Sequence, residues 1–262
     1  MTLAHKTRED DLLTKVPAVT LGFWVIKILA TTFGETAGDT LSMSFDFGYL
    51  ASTAIFGLLL VMLVVAQIKA PRFHPFLYWS TIIASTTAGT TLADFATRSI
   101  GIGYPGGSLL LLAGVCVSLA WWHRAMGRIS VSSVHEPRAE LYYWTTITLS
   151  QTLGTALGDW VADGALGYLG AAVIFGGLLA LVAAAYYRSS INHVALFWAA
   201  FILTRPLGAV VGDFLDKPVS HGGLELSRGG ASIVLAIAIV TLILALPQRA
   251  GQAIQHTKND PG

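Results

Sequence analysis

The sequence predicts an all-α, polytopic membrane fold in which eight transmembrane helices form four parallel helical-hairpin repeats with a pseudo-four-fold arrangement. Three observations predict it. The chain is strongly apolar and poor in charge, apolar runs of membrane-crossing length recur along nearly all of it, and one polar-studded segment appears four times in ungapped register.

Of the 262 residues, 54% are hydrophobic and 12% charged, with a mean hydropathy of +0.64, outside the range of soluble domains. Apolar runs occupy residues 17–42, 48–68, 75–98, 105–123, 140–163, 165–187, 193–216 and 229–247, each near the ~20 residues that cross a hydrocarbon core. The opening "MTLAHKTREDDLLTK" is charged and has no short apolar core before a small-residue cleavage site, so no cleaved leader is expected. No polar connection is long enough to bury a core of its own. Residues 17–247 are therefore expected to form one membrane domain, with repeats near 17–70, 71–125, 138–190 and 191–247, between tails at 1–16 and 248–262.

Basic residues fall on alternate sides of the runs. Lys6, Arg8 and Lys15 precede the first; Lys69 and Arg72 follow the second; Arg124, Arg128 and Arg138 follow the fourth; Arg188 follows the sixth; Arg249 and Lys258 follow the eighth. Lys217 and Arg228 are the exceptions. The positive-inside rule then places both termini in the cytoplasm of a bacterial inner membrane. The single cysteine, Cys116, leaves no internal disulfide and no thiolate cluster.

The repeat is the strongest signal, and it precedes any reading of single residues. Its copies are "WVIKILATTFGETAGD" (Trp24 to Asp39), "WSTIIASTTAGTTLAD" (Trp79 to Asp94), "WTTITLSQTLGTALGD" (Trp144 to Asp159) and "WAAFILTRPLGAVVGD" (Trp198 to Asp213). A glycine stands five residues before each aspartate, at Gly34, Gly89, Gly154 and Gly208, and a small residue just before it, at Gly38, Ala93, Gly158 and Gly212. Each copy is followed by a Gly-rich turn and a plainer apolar span. Two spans per unit return the chain to the same side, so the units are parallel repeats.

At 1.5 Å per residue the tryptophan and aspartate lie about 22 Å apart and mark opposite helix ends. The tryptophan fits a cytoplasmic aromatic belt. The small-xxx-small pairs form faces on which helices approach closely, which should draw Asp39, Asp94, Asp159 and Asp213 toward a common axis. The alternative is that each aspartate caps a turn or sits in headgroup water. Only the first copy stacks an acid one turn below, Glu35, where the others carry Thr90, Thr155 and Ala209. Thr31, Thr86, Gln151 and Arg205 stand eight residues before the aspartates and extend a polar stripe. That stripe reads either as a hydrated path or as hydroxyls bonded to their own helices.

Lys27 and Arg205 lie deeper than the aspartates, where charge is costly and faces a partner or the bundle interior. Lys27 has snorkelling as its alternative. Arg205, beside the helix-breaking Pro206, should pair with a carboxylate. The loop residues Asp46, Arg98, Asp163, Asp216, His221 and Glu225 read either as an outer vestibule or as ordinary solvated positions.

The four-fold unit carrying Trp, Gly-x-x-x-Gly/Ala and Asp resembles a bacterial membrane-protein family defined by a tandem repeat of unknown function. Its members carry four copies of a two-span unit, and some are labelled predicted regulators of amylopullulanase. The similarity runs from about Trp24 to Arg249. It implies an eight-span membrane protein and transfers no activity. The fourth copy departs from the pattern at Arg205 and Pro206.

For function, the residues favour a transporter that is not an enzyme. A small cation and protons are the expected partners besides the lipid bilayer, with Glu35, Asp39, Asp94, Asp159 and Asp213 as metal or proton ligands. Thr31, Thr86, Gln151, Thr90 and Thr155 would line the pathway, and Lys27 and Arg205 would be charge partners. Hard oxygen ligands suit Mn²⁺, Mg²⁺ or Ca²⁺, and proton-coupled efflux of a divalent metal, Mn²⁺ first, is the specific expectation. No bound cofactor is expected beyond the transported cation, nor is any nucleic acid. His5, His74, His123, His135, His193, His221 and His256 all fall in tails, loops or span ends, which disfavours a multi-imidazole zinc site. A non-transporting anchor that docks a partner through "HRAMGRISVSSVHEP" is one alternative; a carrier of an organic or anionic solute, supported by Lys27, Arg98 and Arg205, is another. No paired-histidine zinc motif, Gly-x-Ser-x-Gly elbow or phosphate loop is present. Whether two copies associate as a homodimer is left open.

Overall fold

The computed structural model describes residues 13–127, 129, 136–164 and 166–252. Lys6, Arg8, Arg128, Lys258, His5, His135, His256 and part of "HRAMGRISVSSVHEP" lie outside the described residues. Eight α-helices follow one another: α1 (Leu21–Asp39), α2 (Gly48–Lys69), α3 (Pro75–Asp94), α4 (Gly103–Met126), α5 (Pro137–Ala162), α6 (Gly167–Arg188), α7 (His193–Asp216) and α8 (Arg228–Ala245).

Local chemistry sets their ends. Thr20 accepts from Phe23 N and caps α1; His74 caps α3 ahead of Pro75 at its first position; Pro137 opens α5; Ser227 caps α8. Caps satisfy amides that a helix start leaves unpaired. After Asp39 and Asp94 the backbone widens into single π-helical turns, Thr40–Ser44 and Phe95–Ser99. Gly48, Gly103 and Gly167 then start the outer helices α2, α4 and α6 with positive φ, a reversal that costs a Cβ-bearing residue strain.

Four helices form a closed ring. α1 packs on α3, α3 on α5, α5 on α7, and α7 on α1. Each outer helix packs mainly on the ring helix of the next repeat, α2 on α3, α4 on α5, α6 on α7 and α8 back on α1, with smaller contacts to its own ring helix at α6 and α8. The two-helix unit expected from the sequence is present, but its two helices pack mainly outside the unit. Each unit's plain helix is handed to the next unit, because the face left open on a ring helix lies beside its incoming neighbour.

Among the described residues five helices are long and apolar enough to cross a membrane: α2, α4, α6, α7 and α8. The three that fall short, α1, α3 and α5, have 19, 20 and 26 residues, about 28 Å or more each. Length is therefore not what separates them. Their polar side chains face the ring interior, whereas outer helices expose Leu58, Val61, Leu109, Leu181 and Val234.

Two short strands, β1 (Leu13–Pro17) and β2 (Ala250–Gln252), pair antiparallel and join the two ends of the chain beside the tryptophans. Residues 13–16, read from sequence as part of a free tail, belong to the fold. Val16 is buried in the main apolar cluster, and Lys15 forms an ion pair with buried Glu140 at 2.6 Å while donating to Ile68 O at 2.9 Å.

Candidate functional site

The repeat register sets the ring interior in layers four residues, or about 6 Å, apart. Counting back from the aspartates, Glu35, Thr90, Thr155 and Ala209 form the first layer, and Thr31, Thr86, Gln151 and Arg205 the second. Lys27, Ile82, Ile147 and Phe201 form the third, and Phe23, Tyr78, Tyr143 and Phe197 the fourth. All but Phe197 are buried.

The small-residue positions let the helices come this close. A Cβ on Gly34 would lie 3.0 Å from Thr86 Cβ, one on Gly38 3.0 Å from Thr90 Cγ2, and one on Gly89 3.1 Å from Thr152 N. The same holds for Gly154 against Pro206 Cδ (3.1 Å), Gly158 against Ala209 Cβ (3.2 Å), Gly208 against the Thr31 backbone carbon (2.9 Å) and Gly212 against Glu35 Cβ (2.7 Å). Every copy docks on the following one, and the last docks on the first. Ala93, at the second copy's small position, packs with Leu153 and Ala156 of α5.

Polar contacts cross the ring between helices that do not pack on each other. Lys27 Nζ of α1 donates to Gln151 Oε1 of α5 at 3.2 Å and lies 4.1 Å over the Phe201 ring. It is fully buried and does not snorkel. Arg205 Nη2 of α7 donates to Thr90 Oγ1 of α3 at 2.6 Å, to Glu35 Oε2 at 3.0 Å and to Thr155 Oγ1. Thr90 also donates to Glu35 Oε2 at 3.2 Å. The α7 helix runs through Pro206, and Thr204 Oγ1 caps Phe201 O one turn earlier.

The four aspartates are buried rather than placed at a wet interface, and two cations divide them. Arg98 Nε is 2.8 Å from Asp94 Oδ1 and its Nη2 is 3.2 Å from Asp159 Oδ2. Lys217 Nζ pairs with Asp39, with Asp213 Oδ1 at 2.9 Å and with Asp216 Oδ1 at 3.7 Å. Arg228 Nε reaches Asp216 Oδ2 at 3.3 Å. Burial alone would lower the pKa of Lys217, which lies beyond α7, but Asp213, Asp39 and Asp216 raise it well above an ordinary lysine. Across this division Glu35, Asp159 and Asp213 each bring a carboxylate oxygen within 4.8 Å of the others; Asp39, Asp213 and Asp216 do the same. Glu35 and Asp39, read as a stacked acidic pair, thus have different cationic partners.

Arg98 and Lys217 are the residues that sequence reasoning undervalued. Each stands four residues after the aspartate of an even-numbered copy, where the odd copies have Met43 and Asp163. A second missed signal is the aromatic residue before every repeat tryptophan, at Phe23, Tyr78, Tyr143 and Phe197. These rings turn the expected belt inward. Phe23 packs on Trp79, Tyr78 on Trp144, Trp122 on both Tyr143 and Trp198, and Trp24 on Phe197, closing a circuit of rings. Trp79 and Trp144 are buried because apolar indole surface is better matched by these rings than by water.

The stripe's hydroxyls divide in role. Thr32, Thr87 and Thr152 donate to carbonyls of their own helices, whereas Thr90 and Thr155 engage the buried charges. A cavity of about 260 Å³, lined by Val115, Leu119, Ile129 and Trp198 among others, lies away from the acids and is almost wholly apolar.

A family model described as a Repeat of Unknown Function (DUF347) matches the chain at residues 22–73, 77–128, 142–192 and 196–249. The chain belongs to the DUF347 family. The four DUF347 copies contain the ring helices and their small-residue faces, and their spacing matches the layers counted above. No curated protein and no solved structure is detectably similar to the chain.

Proposed function

We propose that this chain is a multi-pass integral membrane transporter that carries a small cation through its helix ring, with Glu35, Asp159 and Asp213 as the cation-binding carboxylates. One observation carries the reading: these three acids come from three different repeats, two of them on ring helices that are not neighbours around the ring, yet their oxygens lie within 4.8 Å of one another and are buried. An isolated buried carboxylate is costly, so a convergence of three calls for a cation to neutralise it.

Thr90 and Thr155 add hydroxyl oxygens to the same layer as Glu35. The set is hard, which favours a divalent ion, Mn²⁺ first, over a soft one. Arg98 and Lys217 hold Asp159 and Asp213 when no cargo is bound, and cargo would enter by displacing those tethered charges. Protonation of the same carboxylates supplies a route to exchange, so that efflux would run against proton entry. In this reading all eight helices span the bacterial cytoplasmic membrane with both termini in the cytoplasm.

The test is the metal content of cells that express the wild type, Asp159→Asn or Asp213→Asn at matched membrane levels. Wild type alone should lower accumulation of one divalent metal, with manganese the first to measure. Equal contents for every divalent metal across the three would sink the reading and leave the carboxylates as ion-paired struts.

A further inference from the structure

The second layer contains polar atoms that its own ring does not match. Thr31 Oγ1 donates to Ile28 O at 2.8 Å and to Thr204 O at 3.1 Å. The other three members are less complete. Gln151 accepts from Lys27 through Oε1, but its Nε2 has no acceptor among the described residues. Arg205 places all its hydrogen bonds on Nη2, leaving Nε and Nη1 without one, and Thr86 Oγ1 also lacks a partner. Gln151 and Arg205 are at most 1% exposed.

Within the ring interior the unmatched atoms of the second layer differ from those at the aspartates. In this layer every one of them can donate. Two layers on, Asp39 Oδ1 and Asp159 Oδ1 are buried acceptors without a hydrogen bond. Charge sorts the same way: Lys27 and Arg205 both point into the ring, and Glu35 is the one carboxylate hydrogen-bonded to either. Buried donors beside excess positive charge call for an acceptor that carries negative charge.

We propose that Gln151 and Arg205, with Lys27 one layer nearer the aromatic end, bind a small monovalent anion, either a halide or a carboxylate the size of formate. Ile82, Ile147 and Phe201 limit the space on one side, and Thr90 and Thr155, held by Arg205, limit it on the other. None of the aspartates takes part, so this anion site stands or falls separately from the cation reading. If both are occupied, the two ions sit roughly 12 Å apart along one interior.

Thermal unfolding of the purified protein in a mild detergent tests this, with sodium chloride or sodium formate replacing sodium gluconate at constant ionic strength. The midpoint should rise and saturate at millimolar chloride or formate, and Gln151→Leu should raise the half-saturating concentration by about tenfold or more. Thr87→Val, whose hydroxyl faces Ile83 O, should leave it unchanged. Saturation by chloride alone identifies a halide site, and by formate alone a carboxylate site. Identical curves in all three salts, or equal saturation in wild type and Gln151→Leu, overturn the proposal. Should Gln151→Leu not fold, wild-type crystals soaked in bromide and in formate decide. A bromide anomalous peak or a formate within hydrogen-bond reach of Arg205 Nε supports the site, and neither anion there in either soak overturns it.

Discussion

At the tryptophan end the ring is closed by stacked aromatic rings and the β1–β2 pair, while at the aspartate end it is closed by Arg98 and Lys217 lying between carboxylates of adjacent repeats. The first closure is apolar, made largely by contact area and edge-to-face geometry, and is insensitive to ions. The second is electrostatic, made of buried carboxylates and the two cations paired with them. A ring built from four copies of one unit has thus acquired two unlike ends, one held by packing and one by charge.

Three substitutions probe that contrast. Trp79→Ala removes a fully packed indole from the aromatic end and should cost about 3–5 kcal/mol, read by denaturant unfolding in detergent, with the same loss at low and high salt. Lys217→Met strands Asp39, Asp213 and Asp216 and should cost about 3 kcal/mol near neutral pH. Because the folded pKa of Lys217 is raised, its contribution is fully present below the ordinary lysine value and lost only as pH rises through the folded value. Unfolding measured as pH rises from 8 to 9.5 should therefore show no narrowing of the gap between wild type and Lys217→Met; a gap that narrows as pH rises through that window would mean Lys217 is not held as a cation. The smallest effect, about 1 kcal/mol, is expected for Tyr78→Phe, which removes the 3.0 Å contact between the Tyr78 and Tyr143 hydroxyls. A loss as large as that of Trp79→Ala would shift the weight of this end from ring packing to that hydrogen bond.

The parts that the sequence made legible share one property: they repeat. Ungapped register placed the glycine faces and layered the interior, since a helix of fixed pitch converts equal spacing into equal depth. Arg205 announced its need of a carboxylate by being charged in an apolar span. What stayed hidden depended on neighbours. Which ring helix an outer helix covers is invisible when all outer helices are uniformly apolar, so the handover from one unit to the next needed coordinates. Arg98 and Lys217 read as loop charges because their meaning lies in pairing with an aspartate of the following copy as well as their own. β1 reads as a charged tail because Lys15 finds its partner, Glu140, far along the chain.

The closing contact between α7 and α1, with Arg205 meeting Glu35 across 170 positions of sequence, has a consequence for biogenesis. Ribosomes add about 5–20 residues per second, so Glu35 waits roughly 10 to 30 s between its own synthesis and the arrival of the arginine. During that interval the first helix holds unpaired charge with no finished ring around it. A nascent chain stopped after the third copy leaves the circle open and Glu35 without its arginine.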